Sequence, residues 1–192
     1  GYKDLKNNND KNFISIKKLD RNLSNNLISN LAEFLSHKQI NSIARISISI
    51  GPANFNASRQ IVVCARAISQ QLNCSLDQYS SFYLMAKRIA KKNNIFDKNK
   101  YFWIVKNLKR RGYIAGKYKI NHNKINLLLP IQEVISPTLY EKFNEREIQY
   151  EAEYDIKDEL IQLLELSARN HDNLTPNHWA NVLPLYPIEA VN

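Results

Sequence analysis

Cysteine is scarce in this chain, with two residues, Cys64 and Cys74, among 192. That excludes a disulfide-stapled scaffold, and neither thiol has a second Cys or a His at the short spacing of a zinc site. A reducing cytoplasm is the expected setting. Glycine is nearly as scarce, at 4 residues, which leaves little room for a phosphate-cradling loop. No nucleophile elbow, metal-binding His pair or kinase signature is present either. No apolar run approaches the ~20 residues of a membrane span. The first residues, rich in Asn, Lys and Asp, lack the apolar core of a secretory signal, so residues 1–18 read as a flexible polar arm. His37, His122, His171 and His178 are scattered, and Asp155, Asp158 and Glu159 read as a solvated acidic helix rather than a metal site. No cofactor, no metal and no enzymatic activity are expected.

What the chain has in quantity is positive charge, unevenly placed. Residues 1–132 hold 23 Lys and Arg against 6 Asp and Glu, a net of +17, whereas residues 133–192 hold 4 against 12, a net of −8. Between Ser81 and Lys124 there are thirteen cations and one acid, Asp97. A basic body of this kind points first to nucleic acid as partner. The Asn, Lys and Ile bias is a compositional background and carries no function by itself.

Periodicity supplies the elements. Leu23, Leu27, Leu31, Phe34 and Leu35 recur at helical steps between Leu19 and Lys38, while Ile46, Ile48 and Ile50 alternate with Ser47 and Ser49 as in a strand. The choice between strand and helix at 43–50 stays open at this stage. Ser58 is a candidate cap for a helix running to Leu72, with Ile61, Ala65, Ile68 and Leu72 as its buried stripe. Ser80 or Ser81 can start another, with Phe82, Met85, Ala86 and Ile89 inward. Asp97 caps an expected third helix, Lys98 to Arg111, whose inner face is Tyr101, Ile104, Val105 and Leu108. Two strand-like segments follow, Tyr113 to Ile120 and Lys124 to Leu129, separated by a polar turn. Beyond Pro137, residues 138–168 read as one or two acidic helices, and 173–192 as irregular chain apolar enough to pack back onto a core.

The order helix, turn, helix, hairpin over 81–129, with Leu108-Lys109-Arg110-Arg111-Gly112-Tyr113-Ile114 leading from the second helix into the hairpin, resembles the winged-helix superfamily. The expected fold is therefore mainly α with a small β-hairpin, in three parts: the arm 1–18, a basic body 19–132 with its core at 58–129, and an acidic helical region 133–192. The resemblance implies a recognition helix in the major groove of double-stranded DNA. On the helix face opposite the buried one lie Asn99, Trp103, Lys106, Asn107 and Arg110, residue types that suit base edges. Lys87, Lys91 and Lys92, with Lys117, Lys119 and Lys124 on the wing, are expected on the phosphate backbone. The segments Gly112-Tyr-Ile-Ala-Gly116, Lys119-Ile120-Asn121 and Ile135-Ser136-Pro137-Thr138-Leu139-Tyr140 are also similar to the C-terminal domain of conjugative relaxases of integrating elements.

The expected function is sequence-specific DNA binding in a bacterial or mobile-element system, as a transcriptional regulator or a replication or transfer factor associated with the nucleoid. A homodimer through 138–168, or a protein partner for the acidic region, is expected alongside. Two rivals remain at this stage: a winged helix that binds protein through Trp103 and Tyr113, and an RNA-binding protein that stacks bases on Phe102, Trp103 and Tyr118.

Overall fold

The computed structural model describes residues 1–4, 14–19, 23–52, 55–95, 97, 100–120 and 131–187, apart from the side chains of 23–25 and 55–56. The chain divides into two units, Gly1–Ile50 with Asn54–Gln78 and Leu160–Pro184, and Gly51–Ala53 with Tyr79–Glu159 and Leu185–Asn192.

In the first unit, β1 (Tyr2–Lys3) pairs antiparallel with β2 (Ile14–Ser15). The period at 19–38 produces α1 (Leu23–Phe34), with Leu27, Leu31 and Phe34 half-buried and Leu35 buried just beyond it. A capping box then starts α2 (His37–Asn41): the Gln39 amide donates to Ser36 Oγ and the Ser36 amide to Gln39 Oε1, at 3.3 and 2.9 Å. This reciprocal pairing satisfies two otherwise unpaired helix-end donors. The alternation at 43–50 is a strand, β3 (Arg45–Ser49), with Ile48 inward. The helix expected from Ser58 starts earlier, as α3 (Phe55–Leu72), and Ser58 is buried within it rather than capping it. β4 (Ser75–Tyr79) pairs with β3. Ile48, Val62, Ala65, Leu76 and Val182 form the core, flanked by Ile46, Ile50, Ile61 and Trp179. The Pro-rich tail does pack back, since Leu76 N–H donates to Asn177 O (3.1 Å) and Leu183 N–H to Gln78 Oε1 (3.2 Å).

Two charges are buried in this unit. Asp77 accepts from Arg45 Nη1 at 2.7 Å and Ser47 Oγ at 3.1 Å, and also from Asn177 Nδ2, while Arg45 Nη2 donates to Thr175 O. The Arg45 and Asp77 side chains are 7% and 1% exposed. A buried ion pair is tolerable when such bonds satisfy its remaining polar atoms, and these tie β3 and β4 to the 175–177 strap.

In the second unit, Ser80 caps α4 (Ser81–Lys92), accepting from Tyr83 N–H at 3.0 Å. Phe82, Met85, Ala86 and Ile89 are buried as the period requires. Past this point the chain departs from the winged helix. Most of the expected recognition helix is a strand, β5 (Tyr101–Asn107), closed by a 3₁₀ turn at Lys109–Arg111. β5 pairs antiparallel with β6 (Tyr113–Ile120), β6 antiparallel with β7 (Ile131–Tyr140), and β5 parallel with β8 (Ile148–Glu151), in the order β7-β6-β5-β8. Phe102 and Ile104 face α4 in one core with Ile114, Tyr118 and Ile120. Trp103, on the opposite face, packs against Tyr140 and Phe143.

A strand covered on both faces has an apolar run without alternation, and that run mimicked a helical stripe. The expected wing strand, Lys124 to Leu129, lies outside the described residues, and the strand that pairs with β6 on its free side is β7. Pro137 sits buried within β7, an edge strand of this sheet and a position that tolerates a missing N–H. Of the expected helical stretch 138–168, only the part from Ile156 is helix, as α5 (Ile156–Asp172). The described elements are mixed α/β, with a four-stranded sheet in the second unit, not mainly α with a hairpin. No helix among the described residues is long and apolar enough to cross a membrane.

Candidate functional site

The residues expected to meet DNA are not gathered on one groove-facing surface. Trp103 is 2% exposed, and its indole N–H donates to Glu147 Oε2 at 2.7 Å. Lys117 donates to the other Glu147 oxygen at 2.8 Å and lies over the rings of Tyr101 and Trp103. The hydrogen bond from Lys117, joined by that from Trp103, holds the Glu147 carboxyl below its ordinary range despite some desolvation. Lys119 lies over Tyr101, and Lys106 over Tyr154, whose hydroxyl it also meets. Lys92 pairs with Glu153 at 2.9 Å. The side chain of Asn107 turns inward on its own chain, accepting from Lys109 N–H at 2.6 Å. Lys87 has a partner of its own, Lys91 is exposed on the last turn of α4, and Arg110 is exposed on the turn after β5. Asn99 and Lys124 lie outside the described residues.

The acids that neutralise these cations come from the segment expected to serve a separate partner. Arg88 contacts Asp158, Glu159 and Glu153 at 3.3, 3.7 and 3.9 Å and donates to the Glu153 carbonyl. Burial pushes the Glu159 carboxyl up, against the pull of Arg88, whereas Lys92 holds the exposed Glu153 down. A further carboxylate, Glu133, accepts from Ser80, Tyr118 and Ser136 hydroxyls at 2.7, 3.1 and 2.6 Å. Burial, with Glu133 close by, raises the Tyr118 phenol, so Tyr118 stays a hydrogen-bond donor. These networks fix β7 to α4 and cover the sheet, and none presents a free nucleophile beside a free base. Among the described residues no group of three or more His, Cys, Asp or Glu side chains is gathered as a metal site.

An uncommitted apolar surface lies in the first unit. α3 buries Ser58, Val62, Ala65 and Ser69 along one face, which turns Arg59, Gln60, Val63, Ala67, Gln70 and Gln71 outward. Val63 is 59% exposed, a β-branched apolar side chain in the middle of that outward stripe. α1, which packs against α3, repeats the pattern with Ile28, also 59% exposed, and Ala32 one turn on. The one acid of α1, Glu33, is paired with Lys17 at 2.7 Å. Sequence reasoning passed over these residues, although Val63 and Ala67 fall on the polar side of the α3 wheel, and that misplacement was the available signal.

No protein-family model matches this chain, nor does any curated protein. Two solved structures from Pseudomonas aeruginosa are similar to it. One is the crystal structure of an uncharacterized protein with similarity to peptidase YEAZ, at a TM-score of 0.62 and 10% identity, covering 88% of this chain and 85% of that one. The other is YeaZ, at a TM-score of 0.56 and 13% identity, covering 85% of this chain and 84% of that one. At these identities the likeness establishes the fold, which is YeaZ-like. It overturns the resemblance to winged helices and to relaxase C-terminal domains. The expected roles in DNA binding, transcription control and mobile-element transfer, and the two rivals built on the same winged helix or on exposed stacking rings, fall with it. Most of the expected recognition helix is the strand β5, and the rings of Phe102, Trp103 and Tyr118 are buried.

Proposed function

We propose that this chain is a non-catalytic binding subunit whose work is to hold another protein, and that the outward faces of α1 and α3 are where that protein docks. The observation that carries the reading is Ile28 and Val63, each 59% exposed, on neighbouring helices whose outward positions are otherwise small or uncharged, apart from Arg59 and the Lys17-paired Glu33. Interface centres are depleted of charge and carry apolar anchors, whereas solvated helix faces are usually rich in Lys and Glu. The partner presents a complementary apolar surface with few charges. The face is assigned to α1 and α3 in preference to 138–168 because 138–151 is largely built into the sheet, its aromatic side chains spent on Trp103. A cytoplasmic location belongs to the same proposal, as the free thiols Cys64 and Cys74 suit a reducing compartment.

The test is co-purification from the native host, with the unaltered chain and the pair Ile28→Asp/Val63→Asp run side by side. Both positions are exposed, so circular dichroism is expected to show the same melting for both proteins. One protein retained in fixed ratio by the unaltered chain, and lost from the pair, supports the reading. Equal retention by both moves the interface elsewhere. The name peptidase attached to one similar structure supplies a second arm: peptide hydrolysis by the purified chain alone would overturn the non-catalytic reading.

A further inference from the structure

The cations of the sheet unit differ in what stands opposite them. Arg88, Lys92 and Lys117 have carboxylate partners, and Lys106 and Lys119 lie on tyrosine rings. Exposed cations that make no ion pair among the described residues include the scattered Lys91, Lys100, Lys142, Arg146 and Lys157 and the run Lys109, Arg110 and Arg111. The last three differ in being consecutive and in sitting at the tip of the β5–β6 hairpin.

The tip is held still. Leu108 N–H donates to Gly112 O at 2.8 Å, Lys109 N–H to Asn107 Oδ1 at 2.6 Å, and Arg111 N–H to Leu108 O at 3.4 Å. Leu108 packs on the sheet core below. Gly112, at φ +89°, lies so close to β7 that a Cβ there would be 2.3 Å from Tyr140 O. Lys109 itself has φ +59°, a conformation that Gly or Asn adopts with less strain. A fixed turn therefore projects three like charges from one short arc, and no carboxylate among the described residues pairs with them.

The surroundings decide what kind of anion fits. Tyr113 pairs with Tyr140, which places Glu141 at the end of the neighbouring strand on one side, and Val105 pairs with Glu151 on the other. The tip is a cationic island between exposed acids. A long phosphate backbone gains affinity by neutralising many phosphates along its length, and here it would run into Glu141 and Glu151. A short run of carboxylates ends before it reaches them, and the two guanidinium groups suit carboxylate geometry.

We propose that the Lys109–Arg111 tip is a docking point for a short acidic segment, a run of Asp or Glu, on a protein partner. This site is in the other unit from α1 and α3 and stands independently of the docking face assigned there.

The experiment is fluorescence anisotropy of a dye-labelled hexaglutamate peptide with the full chain at low and at physiological salt. A hexaglutamine peptide and a 20-nucleotide DNA strand serve as competitors. Two variants are compared, Lys109→Ala/Arg110→Ala/Arg111→Ala and Lys18→Ala/Lys38→Ala/Lys91→Ala, which remove equal charge. The tip variant is expected to weaken hexaglutamate binding at least tenfold and the control variant less than twofold, with salt weakening the unaltered chain and hexaglutamine not competing. Should the tip variant melt early, Arg110→Ala/Arg111→Ala, which leaves the Lys109 turn intact, carries the same expectation at fivefold or more. Equal losses in the two variants would reduce the effect to net charge and overturn the proposal. So would no binding at low salt, or tighter, tip-dependent binding of the DNA strand.

Discussion

Replacing Asp77 by alanine is expected to be among the most damaging single changes in the first unit. The carboxylate is 1% exposed and accepts from three side chains, one of them the 7% exposed Arg45. Removing it leaves a buried guanidinium with Thr175 O as its remaining hydrogen-bond acceptor and with Nε unpaired. Breaking a buried pair from one side costs ~3–5 kcal/mol, because the surviving charge is uncompensated. With an unfolding slope of ~2 kcal/mol per molar urea, the midpoint falls by roughly 1.5–2.5 M. Urea titration followed by far-ultraviolet circular dichroism measures this. Hydrogen exchange at the Leu76 amide, which is bonded to Asn177 O, reports whether the 175–177 strap releases with it. The paired replacement Arg45→Met/Asp77→Leu removes both charges and is expected to recover most of the loss. A midpoint shift under ~0.5 M for Asp77→Ala, the size typical of a solvent-exposed pair, would refute the argument.

Three further outcomes follow from the second unit. Ser80→Ala removes both the cap of α4 and a donor to Glu133, and is expected to cost about 2 kcal/mol in urea or thermal unfolding. Gly112→Ala has to place a Cβ 2.3 Å from Tyr140 O at φ +89°, so a loss of about 2–3 kcal/mol is expected, and an unchanged melting temperature would contradict the geometry. In a Trp179→Phe background, Trp103 emission reports on Glu147. The folded-state carboxyl is held low, so its contribution is complete above the unfolded-state pKa and is lost as pH falls through the lowered folded value. Emission is expected to stay constant near neutrality and to change only on acidification below the ordinary carboxylate range. Glu147→Gln is expected to abolish that transition, and its persistence in the variant would assign it to another group.

Within the first ninety or so residues α1, α3 and α4 were legible because each presents one face to a core, whereas the β1–β2 pair falls in the segment read as a flexible arm, and α2 and β4 went unread. Leu27, Leu31 and Phe34, and likewise Phe82, Met85 and Ile89, carry a single helical period, whereas the alternation around Ile48 left strand and helix open. Legibility failed where that condition failed. In β5 the successive residues Phe102, Trp103 and Ile104 are all buried, the even ones against α4 and Trp103 under Phe143 and Tyr140. Any selection of every third or fourth residue from such a run looks like a helical stripe. The aromatic and β-branched content of Tyr101 to Val105 was the better guide, and it favoured a strand. Pro137 misled in the same way, taken as the start of a helical region when an edge strand accommodates it.

Charge misled for a different reason, which bears on the proposed sites. Counting Lys and Arg along 81–124 records how many cations there are and nothing of what stands opposite them. Three-dimensional pairing brings Glu147, Glu153, Asp158 and Glu159 from the acidic part of the chain onto Lys117, Lys92 and Arg88 of the basic part. Part of the asymmetry read as pointing to an outside polyanion is thus answered within one unit. Two surfaces that the pairing does not reach argue for partners: the charge-poor turns of α1 and α3 around Ile28 and Val63, and the three consecutive cations at Lys109–Arg111. Their chemistries are opposite, one apolar and one cationic, so a salt titration separates them. Raising salt is expected to leave association through Ile28 and Val63 intact or stronger while it releases an acidic segment from Lys109–Arg111. A partner released from both faces by the same salt step would show that the apolar face does not hold it.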